Sequence, residues 1–123
     1  MGLEFKLTKE VPQGKPGVAV MHLEGWLDAQ SEGALVEAVQ KAKDEGAKYV
    51  LLELSGVGTI TSAGIRAIQK SFSIMTQKGE TVIGRLKLCN ASPQIYEVLS
   101  ITGMLVSVPM YESPDIAIDS FGK

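Results

Sequence analysis

One cysteine and one histidine are all that this chain of 123 residues has of the two side chains that most often hold transition metals. Cys89 alone cannot form an internal disulfide, and Cys89 with His22 makes no metal cluster of recognised spacing. Basic excess is also absent. Twelve Lys and Arg against 14 Asp and Glu leave a net charge of −2, which argues against a nucleic-acid binder with a concentrated cationic face. No apolar run approaches the roughly 20 residues of a membrane span. The opening MGLEFKLTKE alternates charged and apolar residues, unlike a signal peptide. Lys6 stands where an N-myristoylation motif needs Ser or Thr. The expectation is a soluble, cytoplasmic protein folding as one domain over residues 1–123, because this length supports a single buried core.

Catalytic constellations are missing as well. Ser62 is placed like a nucleophile, between a buried run and a helical one, but a nucleophilic serine needs a base and an oxyanion hole. The G-x-S-x-G elbow would need Gly where Ile60 stands, and His22 precedes the serine, whereas that class places its histidine last. GVGTIT carries two glycines of a dinucleotide fingerprint but Thr61 at the third position. No G-K-[ST] phosphate loop occurs. The expectation is a non-enzyme without cofactor or metal.

What is present is a regular alternation of element types. Leu3, Phe5 and Leu7 alternate with charged or polar neighbours as a half-wet strand does. EVPQGKPG reads as a hairpin connection and Val18 to Gly25 as a second strand. Leu35, Ala38, Val39 and Ala42 recur at helical spacing within residues 31–45, with Gly46 as a stop. Lys48 to Leu54 is nearly continuous apolar, as in a strand buried on both faces. Ile65, Ile68, Phe72 and Met75 make the stripe of a second helix ending at Gly79. TVIGRLKLCN, residues 81–90, reads as a strand in which Arg85 and Lys87 face water. SPQIYEVLSITG and SPDIAIDSF each open with the Ser-Pro pair that starts helices. LVSVPM, residues 105–110, reads as a short edge strand between them. Strands alternating with helices imply parallel pairing through crossovers. The fold class is therefore α/β: a mixed, mostly parallel sheet of about five strands with about four helices.

Loops that follow parallel strands emerge on one rim, where such folds bind. Here they carry Trp26, Asp28, Thr59, Thr61, Ser62, Asn90 and Ser92. Asp28 could cap the first helix, and Trp26 could be a packing residue. Ser62 has two readings at the same spot. Its hydroxyl could cap the second helix, a contribution of about 1 kcal/mol, or it could accept a phosphate, which the positive end of a helix tolerates. A rim of small polar groups with one carboxylate and no base suits docking better than chemistry.

Four blocks, LEGWLDA, YVLLELSGVGTITSAGI, LCNASPQIYEVLSITGM and VPMYESPDIAI, together resemble the STAS domain of bacterial anti-sigma-factor antagonists, from about Leu3 to Phe121. The resemblance implies a one-domain β/α fold and a role in transcription regulation. Its signature is Asp-Ser-x-Gly, whose serine is phosphorylated by the anti-sigma factor, a serine kinase of the GHKL type. Ser62-Ala63-Gly64 matches Ser-x-Gly, which makes Ser62 the implied phosphoacceptor. Asp28 matches the aspartate of the family's Gly-x-Leu-Asp block at the partner interface. Thr61 replaces the aspartate that precedes the family's serine, so one charge is missing from this rim. The implied function is a phosphorylation-gated binding protein that docks on its kinase and frees a sigma factor. The alternative is a scaffold subunit in a signalling assembly or a transport complex.

Overall fold

In Val18–Leu27, residues 19, 21, 23 and 27 are fully buried, and a strand this apolar needs cover on both sides. The computed structural model describes residues 4–76 and 84–122. It places this strand, β2, second in a five-stranded sheet of order β1-β2-β3-β4-β5. The others are β1 (Lys6–Glu10), β3 (Tyr49–Ile60), β4 (Leu86–Cys89) and β5 (Met110–Tyr111). β1 pairs antiparallel with β2, and the remaining pairs are parallel. Four helices join them: α1 (Glu32–Asp44), α2 (Ser62–Met75), α3 (Pro93–Ile101) and α4 (Pro114–Ser120). The mixed, mostly parallel α/β architecture expected from the alternation is the one observed.

Alternation along the strands makes two unequal cores. Met21, Leu23, Leu52, Leu54, Leu86 and Leu88 meet Leu35, Val39, Ile68, Ile95 and Leu99 from α1, α2 and α3. On the other face Val18, Val20, Leu51 and Cys89 meet Ala117 and Phe121 at α4. α4 spans only seven residues and packs chiefly on β3, β4 and β5, so Lys6, Thr8 and Glu10 of the edge strand β1 stay exposed on that face.

Several boundaries differ from the sequence expectation, each for a tertiary reason. The first strand runs Lys6–Glu10 rather than from Leu3, which lies outside the described residues, because its register is set by β2, from Lys6 opposite Glu24 to Glu10 opposite Val20. β3 continues six residues past Leu54, because β2 runs alongside it to Leu27 opposite Ile60 through two register shifts. α2 ends at Met75; the stop expected at Gly79 lies outside the described residues, as do positions 81–83 of the expected fourth strand. Of residues 105–110 only Met110 is in a strand. Gly103 takes a left-handed φ of 78°, Met104–Val106 forms a 3-10 turn, and Val108 N–H donates back to the Met104 carbonyl. Pairing begins only at Pro109, whose carbonyl accepts from Leu88 N–H, so the edge strand is Met110–Tyr111.

Lys87 also departs from expectation. It is buried, because α4 and Phe121 cover the side of β4 expected to meet water. Its ammonium donates to Ser120 Oγ at 2.7 Å and lies 4.8 Å from the Phe121 ring centre and 5.2 Å from that of Tyr111. Hydrogen bonding and cation–π contact with two rings compensate the lost hydration. Arg85, half-buried, reaches the Lys48 carbonyl at 3.2 Å.

Candidate functional site

The Ser-Pro pairs behave as N-caps: Ser92 and Ser113 each accept an N–H from three residues on, both at 3.3 Å. Ser62 does not. The N-cap of α2 is Thr61, extended at φ −108°, with no side-chain capping bond. Ser62 is the first helical residue and is exposed, and among the described residues its hydroxyl has no protein partner. The capping reading of Ser62 is thereby corrected.

Packing explains the placement. Thr61 N–H donates to the Leu27 carbonyl at 3.0 Å, tying the start of α2 to the end of β2. Ala63 and Gly64 are buried in that junction. A Cβ at Gly64 would overlap the Leu27 carbonyl oxygen and stand 2.8 Å from Ile60 Cγ1. With its two successors turned inward, Ser62 faces out. The first-turn N–H groups of a helix have no intrahelical acceptor, and no acidic residue occupies this first turn. The spot is locally electropositive.

Asp28 closes the turn ahead of α1. Its Oδ1 accepts from Gln30 N–H at 3.0 Å and Ser31 N–H at 3.2 Å. Ser31, which sequence reasoning passed over, is the buried N-cap residue of α1. Its hydroxyl donates to the Trp26 carbonyl at 2.8 Å and accepts from Asp28 N–H at 2.9 Å. A serine immediately ahead of the helical stripe was the signal available. Trp26 pairs in register with Thr59 and is 38% exposed, although tryptophan normally packs. Across the helices, Arg66 grips Glu32 with two bonds of 2.8 and 3.0 Å, and Lys70 adds a third contact at 3.1 Å. Arg66 first and Lys70 second hold the Glu32 carboxyl down to about 2, so the clasp between α1 and α2 is ionised at any ordinary pH.

Trp26, Asp28, Thr59, Thr61 and Ser62 thus lie where β2 and β3 end together and α1 and α2 begin. Asn90 and Ser92 belong to a different level of the sheet. Cys89 pairs with Glu53, seven residues before Ile60 on β3. Asn90 takes φ 61° and donates its Nδ2–H to Glu53 Oε2 at 3.0 Å, while Ser92 caps α3.

Among the described residues no side chain is hydrogen-bonded to the Ser62 hydroxyl, and the histidine and cysteine are engaged elsewhere. His22 lies opposite Thr8 on β1, its ring held by Glu10 and Glu53. Cys89 is buried, and burial, helped by the Glu53 charge, pushes its thiol up to about 12, so it is not a nucleophile at neutral pH. Among the described residues no group of His, Cys, Asp and Glu could hold a metal ion, and no helix is long and apolar enough to cross a membrane.

Comparison with known proteins places the chain by family and fold. The STAS domain family model matches residues 11–117, so the chain belongs to the STAS domain family. It is 28% identical over 105 residues to BtrV of Bordetella bronchiseptica, provisionally named an anti-sigma factor antagonist, covering 85% of this chain and 87% of that one. The fold matches an anti-sigma factor antagonist from Mycobacterium paratuberculosis with a TM-score of 0.80 at 18% identity, over 98% and 96% of the two chains. It matches the phosphorylated form of the Bacillus cell fate determinant SpoIIAA with a TM-score of 0.63 at 21% identity, over 94% and 97%. It also matches the murine anion transporter Slc26a9 with a TM-score of 0.67 at 20% identity, over 83% of this chain and 17% of that much longer one.

Proposed function

We propose that this STAS-domain chain is an anti-sigma factor antagonist: it docks on an anti-sigma factor that is also a GHKL-type serine kinase, and so frees a sigma factor. The docking surface is the junction carrying Trp26, Asp28, Thr59, Thr61 and Ser62, extended by Asn90 and Ser92. The chain is substrate rather than enzyme. The kinase transfers the terminal phosphoryl group of ATP to Ser62 Oγ, releasing ADP and the hydroxyl proton. The single observation that supports this most is the unengaged, exposed hydroxyl of Ser62 on the electropositive first turn of α2. BtrV bears the same functional name, and SpoIIAA, of the same fold, exists in a phosphorylated form.

Phosphate at this position would not unfold the helix, because about −1.5 to −2 charges at an N-terminus are favourable. It would instead break the complex, since that charge has to be desolvated against a partner fitted to a neutral hydroxyl and stands near Asp28. The test is reconstitution. The chain is mixed with the host's anti-sigma kinase and its sigma factor, with and without ATP. Displacement of the sigma factor without ATP, and one phosphate at Ser62 with release of the kinase when ATP is added, are the expected results. Failure to retain any anti-sigma factor would favour the accessory role that the transporter match suggests.

A further inference from the structure

The α4 face of the sheet holds a row of side chains of which only Asn90 belongs to the proposed docking surface. Glu10 on β1, His22 on β2, Glu53 on β3 and Asn90 just past β4 form one continuous chain of hydrogen bonds. His22 Nε2 lies 2.7 Å from Glu10 Oε1, and His22 Nδ1 lies 3.2 Å from Glu53 Oε1. Glu53 Oε2 accepts from Ser55 N–H and from Asn90 Nδ2–H, both at 3.0 Å.

The donors and acceptors decide the charge of the ring. A neutral imidazole has one N–H and one bare nitrogen, whereas an ionised carboxylate only accepts. Both His22 nitrogens face carboxylates, so both contacts can be hydrogen bonds only when both nitrogens carry protons. Glu53 is itself ionised. Burial, the largest influence, raises its proton affinity, but bonds from Ser55, Asn90 and His22 together bring the carboxyl below its ordinary range. A buried carboxylate next to a cation is far less costly than one alone.

The other end of the chain explains why this matters. Asn90 is the one non-glycine residue among those described with a positive φ, and it forms the corner from β4 into α3. Two bonds hold it there: its N–H to the Tyr111 carbonyl at 3.0 Å, and its side chain to Glu53. His22 engages Oε1 of Glu53, while Ser55 and Asn90 engage Oε2. A neutral His22 keeps one N–H, and the shorter contact, 2.7 Å to Glu10 against 3.2 Å to Glu53, is where it stays, which leaves a bare Nδ1 facing Glu53 Oε1.

We infer that His22, as an imidazolium between Glu10 and Glu53, is a positioning residue for the corner at Asn90, and that loss of its proton releases Glu53 and loosens the corner with Ser92. The consequence for docking rests on the proposed role of Asn90 and Ser92. The inference about the corner does not. Other charged or titratable groups on this face are Lys6 on β1, opposite Glu24 on β2; Tyr49 on β3, with Arg85 over its ring; Lys87, Cys89 and Tyr111 on β4 and β5; and the exposed Glu112, Asp115 and Asp119 at α4. Lys6 and Glu24 are exposed, Lys87 is spent on Ser120 and two rings, and Cys89 stays a thiol, so Glu10 and Glu53 set the state of His22. The Glu10 bond raises its proton affinity most, against partial burial and with further help from Glu53.

His22 is the only histidine in the chain, so its ring nitrogens can be followed without ambiguity by NMR of 15N-histidine-labelled protein from about pH 5 to about pH 9. Alongside it, the amide signals of Ser55, Asn90 and Ser92 are followed. The expected result is a His22 midpoint shifted above the ordinary 6.5, with all three amides moving on the same curve. In Glu53→Gln the midpoint should fall and the Asn90 amide should stop following it, while Lys6→Gln should leave both unchanged. A His22 midpoint at or below 6.5, or Asn90 and Ser92 amides that ignore it, would overturn the inference. Affinity for the anti-sigma partner, read across the same range, should decline on the same curve. An affinity that stays flat while the corner moves would uphold the positioning role and remove Asn90 and Ser92 from the docking surface.

Discussion

Gly64 has no side chain because the Leu27 carbonyl occupies the space where its Cβ would be. The start of α2 therefore presses on the end of β2 at backbone distance, and Thr61 N–H completes the junction with a 3.0 Å bond to the same carbonyl. The glycine of Ser-x-Gly is a packing requirement. It sets which way Ser62 points.

Gly64→Ala should therefore destabilise the fold, against the usual gain of about 0.5–1 kcal/mol for Gly to Ala inside a helix. The added methyl meets the Leu27 backbone as well as the Ile60 side chain, and the backbone cannot step aside, so a cost of about 1–3 kcal/mol is expected. Gly33→Ala in α1, where a Cβ meets nothing within 4 Å, should be neutral or stabilising. Urea unfolding of both variants checks the pair. Equal responses would mean that the close approach to Leu27 does not matter.

Ser62→Ala should change stability by no more than about 0.5 kcal/mol, because the hydroxyl makes no capping bond. Ser62→Asp should stabilise the fold by about 0.3–1 kcal/mol through the helix dipole. Partner affinity should run the other way: the alanine protein binds and cannot be released by ATP, while the aspartate protein binds weakly. Thermal unfolding and affinity are measured on both. Affinity that rises and falls with stability, or phosphate found on Thr61 rather than Ser62, would contradict the switch.

Asp28 has two separable duties. Asp28→Asn keeps an oxygen to accept the Gln30 and Ser31 amides but discards the charge; Asp28→Ala discards both. Only the alanine variant should lose stability, by about 1 kcal/mol, the net contribution of a typical hydrogen bond. Both should weaken partner binding by more than about 1 kcal/mol if the carboxylate contacts the partner. Lys41→Ala, on the exposed side of α1, should leave binding unchanged. A binding loss confined to Asp28→Ala would mean that Asp28 acts only by shaping the turn.

Periodicity and composition were enough for the elements whose residues are all turned to one core. Leu35, Val39 and Ala42 mark α1 within one residue of its observed ends, and Ser92-Pro93 and Ser113-Pro114 mark the starts of α3 and α4. These signals are local: a helical stripe, a hydroxyl and a proline act within one or two turns of chain. The α/β class followed from the same signals, because a strand buried on both faces has to be covered by helices on both sides.

What the tertiary structure decided is everything that depends on a distant neighbour. Residues 105–110 have the look of a strand, yet a strand needs a partner, and Leu88 offers its N–H only at Pro109. Lys87 reads as a wet residue until α4 covers it, with Ser120, 33 residues downstream, taking its ammonium. Ser62 reads as a cap until the Leu27 carbonyl fixes where α2 begins. The charge on His22 is the clearest case. In sequence it is one histidine in a strand; its protonation depends on two carboxylates, 12 residues before it and 31 after, which only sheet pairing brings to its two nitrogens. Local sequence sets conformation over a few residues, but the electrostatic state of a group is set by whatever the fold places within hydrogen-bonding reach.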